Sequence, residues 1–281
     1  RPQVVKWANG TPDMIIQIPE QRIPATGVQD YRNLMIPLNL EEDIWVKAVE
    51  FTPGDATVLH HIIAFSYGAD GMNEFELLNQ GIGLGAYAPG NSLNTYPDGA
   101  GYPLEAGGGL MLQMHYTTSG KETTDSTEIG IYFYDEGEVP NERMSGGVGN
   151  AFSIAIPAQA KDHEMELVTL VPEDAELYSL MPHMHFRGKR MKFTAQYPDG
   201  SEELLLSVPA YSFNWQLAHE LEEPLSIPAG TKIVATGAFD NSSQNTFNPD
   251  ANTEINWGEQ SWEEMFMGFY TWKNVDQGGS D

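Results

Sequence analysis

The length of the apolar runs narrows the possible folds of this chain most. They span about four to eight residues, close on Pro, Gly, Asn or Asp, and none carries a 3.6-residue period. Met14-Ile15-Ile16-Gln17-Ile18-Pro19, Asn33-Leu34-Met35-Ile36-Pro37-Leu38 and Ile44-Trp45-Val46-Lys47-Ala48-Val49 open the series. It continues through Val58-Leu59-His60-His61-Ile62-Ile63, Leu110-Met111-Leu112-Gln113-Met114-His115-Tyr116 and Glu128-Ile129-Gly130-Ile131-Tyr132-Phe133. The second half repeats the theme at 152–157, 166–171, 180–186, 191–197, 204–206, 232–239 and 263–272. Pro198-Asp199-Gly200-Ser201 reads as a hairpin turn. Short strands with turns between them and no helices predict an all-β protein of antiparallel sandwiches.

A chain of 281 residues suits two domains. The polar, glycine-rich stretch at 135–150 is the natural break, giving domains at 1–145 and 146–281. A weak internal echo fits two similar halves. Ala106-Gly107 leads to His115, and Ala229-Gly230 leads at the same spacing to Ala238, so the second copy lacks that histidine. Residues 70–108, rich in glycine and poor in apolar runs, read as a long irregular segment.

Charge restricts the partners. Fourteen basic against 40 acidic residues give −26, which repels nucleic acid and anionic membranes and favours neutral or cationic partners. Solubility in a salty or extracytoplasmic setting is the plainer explanation of the same number. No apolar run approaches the roughly 20 residues of a membrane span, so no membrane insertion is expected. The start at Arg1, without Met, reads as a mature or trimmed product. With no cysteine, a metal must be held by His, Met or carboxylate.

Metal binding is suggested by the histidines. There are seven, and five fall in strand-like runs. In Leu180-Met181-Pro182-His183-Met184-His185-Phe186-Arg187-Gly188-Lys189, His183 and His185 share one face of a strand and can grip one ion, with an exposed polar pair as the alternative. His60 and His61 face opposite ways on a regular strand. They ligate together only across a bulge, with His115 arriving from a neighbour; otherwise one is core and one exposed. Gln113 shares the face of His115 and is a candidate for the shell behind it. His163 and His219 sit in acidic, polar settings and read as non-ligands. Imidazole suits several metals, whereas a thioether selects Cu(I), so a His-x-His strand completed by one Met would bind copper. Which of the 12 methionines serves is open at this level.

The ordered set His60-His61, Gln113-Met114-His115-Tyr116, Pro182-His183-Met184-His185-Phe186-Arg187-Gly188-Lys189 and Glu263-Glu264-Met265-Phe266 resembles the copper type II, ascorbate-dependent monooxygenases. That family includes peptidylglycine α-hydroxylating monooxygenase and dopamine β-monooxygenase. The motifs cover most of the chain, and Tyr211-Ser212-Phe213-Asn214-Trp215-Gln216 and Phe239-Asp240-Asn241-Ser242 look nearer to the bacterial branch. The resemblance implies two jelly-roll β-sandwich domains side by side and two copper ions per chain. It matches His60, His61 and His115 to an electron-transfer copper, and His183, His185 and Met265 to a catalytic copper. It also implies O2 and ascorbate or another reductant as co-substrates, hydroxylation of a C–H bond, and a periplasmic or secreted location.

The chain departs from the family in lacking disulfides. It also has Met181, Met267 and Phe269 where the peptide-amidating enzyme carries polar substrate contacts, so a neutral, aromatic or cationic small molecule or side chain is the expected substrate. The basic triplet Arg187, Lys189 and Arg190 reads as salt-bridged to acidic neighbours, with a grip on ascorbate as the alternative. Two other functions compete: a copper-binding electron-transfer protein without hydroxylase activity, and a β-sandwich binding module using Trp215, Trp257 and Trp262.

Overall fold

The computed structural model describes residues 6–72, 83–140 and 142–274. No helix is present among them, and the chain divides into two compact units, Arg1–Met144 and Ser145–Asp281.

In the first unit the strands are β1 Met14–Gln17, β2 Gln21–Ile23, β3 Arg32–Pro37, β4 Ile44–Thr52, β5 Leu59–Tyr67 and β6 Gly83–Tyr87. They continue as β7 Leu93–Thr95, β8 Ala100–Leu104, β9 Gly109–Tyr116, β10 Thr123–Asp125, β11 Glu128–Phe133 and the start of β12 Glu142–Asn150. One sheet orders β1-β11-β4-β8, with β7 also on β4; the other orders β3-β9-β5-β6. Their facing sides share one core, with Val46, Phe51 and Ile131 from the first sheet against Ile62, Leu84, Leu112 and Met114 from the second. This is sandwich packing, in which side-chain direction reverses at every residue of a regular strand.

In the second unit follow β13 Ala155–Ile156, β14 His163–Leu170, β15 Ala175–Met184, β16 Gly188–Gln196, β17 Glu202–Val208, β18 His219–Ile227, β19 Lys232–Phe239, β20 Ile255–Asn256 and β21 Phe266–Asn274. Strands β21, β15 and β18 form one sheet with the latter part of β12; β14-β19-β16-β17 form the other. Leu180, Met184, Phe266 and Tyr270 meet Phe193, Ile233 and Phe239 between them. At Gly237 on β19 a Cβ would lie 2.5 Å from the ring of Phe266, so only glycine lets that ring fill the gap behind the His-x-His strand. The turn expected at 198–201 joins β16 to β17, with Gly200 at φ +86°.

One local expectation needs correction. The stretch 70–108 is not irregular throughout, because β6, β7 and β8 lie in it; its residues 73–82 fall outside the described residues. Short strands edged by glycine lack the apolar periodicity that sequence reading relies on. The break expected within 135–150 matches the division between Met144 and Ser145, but the stretch is strand β12 there, and a Cβ on Gly147 would lie 2.4 Å from the Trp272 ring.

Candidate metal centres

The pairing of β5 with β9 sets Leu59 opposite Tyr116 and His61 opposite His115, with an irregularity between Leu59 and His61. His60 is the extra residue. Leu59 and Ile62, three apart, both enter the core, so His60 and His61 turn together to the other face. There the three imidazoles of His60, His61 and His115 form a near-equilateral cluster, with ring centroids 5.3, 5.2 and 5.1 Å apart and each pair tilted by 62–66°. One donor atom from each lies within 4.8 Å of the others.

The Nδ1 atoms of His60 and His61 are 3.1 Å apart. With metal–nitrogen bonds of about 2.0–2.1 Å, that separation corresponds to an angle near 100° at a shared ion, an ordinary coordination angle. Burial lowers the pKa of His60, which favours the neutral imidazole that ligates. The donor set therefore fits a metal ion. The ring of Tyr31, on the loop before β3, stacks on His115 at 4.5 Å and 11° and lies 5.5 Å from His61. Gln113 is buried on the His115 face, two residues away.

In the second unit His183 and His185 share the outer face of β15 and its end, their rings 5.2 Å apart and perpendicular. His183 is 8% exposed and His185 fully buried. His183 donates from Nδ1 to Gln216 Oε1 at 2.6 Å, and Gln216 Nε2 donates to Phe213 O at 2.8 Å. That pair of bonds fixes the amide and leaves Nε2 of His183 as the donor for a ligand. Phe213 stands edge-on to His185 at 6.0 Å. Tyr211 clasps the strand between the two histidines: its hydroxyl accepts from Met184 N at 3.0 Å and donates to Met184 O at 2.7 Å. Residues 211–216 thus form a strap over the His-x-His strand.

Met265 is 8% exposed and immediately precedes β21, the neighbour of β15. Strand pairing sets Met184 opposite Phe266 and His183 opposite Met267; Met265 lies one residue before the strand, where continued alternation would carry it to the histidine face at the His185 end. Two imidazoles and a thioether on one face fit a soft metal ion. The residue between Met265 and the loop is Glu264, fully buried, whose carboxylate accepts from His185 N at 2.8 Å and Arg187 N at 2.7 Å. Burial pushes this carboxyl up to about 8, while the N–H groups and the Arg187 charge pull against it.

Sequence reading misjudged one member of the basic triplet. Lys189 and Arg190 do pair with Asp162, and Arg190 also with Glu164. Arg187 is instead 1% exposed, donating to Asn241 Oδ1 at 2.8 Å and Trp262 O at 2.7 Å. His163 and His219 lie at the starts of β14 and β18, opposite Phe239 and Leu180. Tyr31, Gln216 and Glu264 were not singled out from the sequence as supports. They lie far along the chain from the histidines they touch, and no spacing rule connects them.

A cavity of about 450 Å³ lies beside the strap, lined by Phe186, Tyr211, Phe213 and Phe247 together with the charged Lys189 and Asp240. Phe213 is the wall it shares with His185. The three tryptophans proposed as a binding face differ in setting: Trp215 is 69% and Trp262 38% exposed, whereas Trp257 packs on the core.

No family model matches the chain, and no curated protein matches it. Among solved structures it is similar to PBCV-1 VP54 fitted into a cryo-EM reconstruction of the virophage Sputnik. The identity is 8% and the TM-score 0.30, over 95% of this chain and 97% of that one. Infectious bursal disease virus VP2, from a subviral particle, aligns at 7% identity and a TM-score of 0.29, over 96% and 76%. Likenesses at that level carry no argument about function.

Proposed function

We propose that this chain is a copper-dependent monooxygenase that uses O2 and an external reductant such as ascorbate to hydroxylate a C–H bond of a neutral, aromatic or cationic substrate. The observations that support this are three converging imidazoles in one unit and, in the other, two neighbouring imidazoles on a strand whose partner strand begins just after Met265. His60, His61 and His115 would hold the copper that stores an electron; His183, His185 and Met265 would hold the catalytic one. Copper, when bound, supplies a one-electron couple and the means of reducing O2, and the softer donor set favours its reduced form.

The protein's own part is positioning. Gln216 fixes which nitrogen of His183 is offered, Glu264 holds the backbone of His185, and Phe213 screens the His185 ring from water. The aromatic walls of the neighbouring cavity suit a flat apolar substrate, and a surface of −26 draws in cations rather than anions. A periplasmic or secreted location goes with the same proposal.

Protein purified without a histidine tag should carry two coppers per chain and consume O2 with ascorbate, faster when a substrate is present. Label from 18O2 should enter the product. Copper at both sites without label in any product would leave an electron-transfer protein in place of a hydroxylase. Met265→Ile should abolish turnover and leave the fold intact; full activity in that variant would remove the catalytic assignment.

A further inference from the structure

The face of β15 and β21 that carries His183 holds more sulfur than the proposed centre uses. Met267 is directly opposite His183 in the strand pairing. Opposed residues on antiparallel neighbours have Cβ atoms about 4.5–5.5 Å apart, which a methionine side chain spans easily. Met265 lies two residues earlier, just before the strand begins, so a strand-like alternation carries both methionines to the face of the two imidazoles. Met267 stands outside the apolar core, which β21 supplies through Phe266, Tyr270 and Trp272 on its other side. Met267 is half-buried at the edge of the site, whereas a methionine used as filler would be enclosed.

Building on the copper assignment above, we infer that Met267 is a second thioether donor at the His183/His185 centre. Cu(I) there is held by two imidazoles and two sulfurs. Each thioether added to an imidazole pair shifts preference towards Cu(I), because the soft sulfur binds the soft ion and gains little from Cu(II). The centre therefore retains reduced copper more tightly than a single methionine would allow.

X-ray absorption at the copper edge on the Cu(I)-loaded full chain counts the sulfurs directly. The three-imidazole cluster contributes none, so every copper–sulfur distance belongs to this centre. The inference requires two sulfurs per chain in the unmodified protein, one in Met267→Leu, one in Met265→Leu and none in the double variant. Competition with a chromogenic Cu(I) chelator should show Met267→Leu holding Cu(I) about tenfold more weakly, with Cu(II) affinity changed less than about twofold. One sulfur in the unmodified protein, or an unchanged count in Met267→Leu, overturns the role of Met267 while copper on His183 and His185 leaves the copper assignment standing. Failure of His183 and His185 to take up copper at all overturns both.

Discussion

Replacing Glu264 by glutamine probes how the His-x-His strand is held. At pH 9, above its raised pKa of about 8, the buried Glu264 carboxylate is ionised and acceptor-only, and it receives the N–H groups of His185 and Arg187 on its two oxygens. Glutamine preserves the shape but turns one oxygen into a donor. One of those N–H groups then faces another donor and is left unsatisfied in the interior, at a cost of about 1–3 kcal/mol. The buried guanidinium of Arg187, 1% exposed, also loses the stronger-acting of the two negative charges, Glu264 and Asp250, that offset its burial. Together these give a destabilisation of about 2–4 kcal/mol, or a fall in melting temperature of about 6–12 °C for a unit of this size.

Thermal unfolding by calorimetry measures that change. Copper titration followed by electron paramagnetic resonance should show the His183/His185 centre weakened at least tenfold and the three-imidazole centre unaffected. Glu263→Gln is the control, since that neighbour is half-buried and its carboxylate accepts from Gln260 N at 3.0 Å; it should shift stability by less than about 1 kcal/mol. A Glu264→Gln protein that melts within 2 °C of the parent and binds copper equally at both centres would refute the clamp.

Other expectations follow from the same contacts. Gln216→Leu removes the acceptor at Nδ1 of His183 and should weaken metal binding there about 10–100-fold, measured by chelator competition. His115→Ala should lower copper from two ions per chain to one by elemental analysis, with the remaining resonance that of the second unit. Burial pushes the Tyr270 hydroxyl, ordinarily near 10, up to about 12. A raised pKa contributes stability that is intact below pH 10 and is lost as pH climbs towards 12, by about 1.4 kcal/mol per unit. Tyr270→Phe should therefore show a shallower loss of stability over that interval in alkaline denaturant titrations.

The strands were legible because β-structure writes itself in short alternating runs: 128–133 and 232–239 match β11 and β19 residue for residue. The His183/His185 pair was legible for the same reason, since a period of two is fixed by the backbone. The short glycine-edged strands β6, β7 and β8 were not, because their burial comes from neighbours rather than from their own composition. Arg187 looked like its surface companions Lys189 and Arg190, yet it is buried, because partners 54 and 75 residues away accept its hydrogen bonds.

By itself the sequence determined which atoms are available to a metal: imidazoles, thioethers and carboxylates, never thiolates, with the histidines on strands of two-residue period. Only the tertiary structure decided which of them meet. A single extra residue in β5 turns His60 and His61 to one side, and the register of β21 against β15 chooses Met267 to face His183. Strand register is set by the packing of whole sheets, a long-range quantity that no local pattern of residues contains.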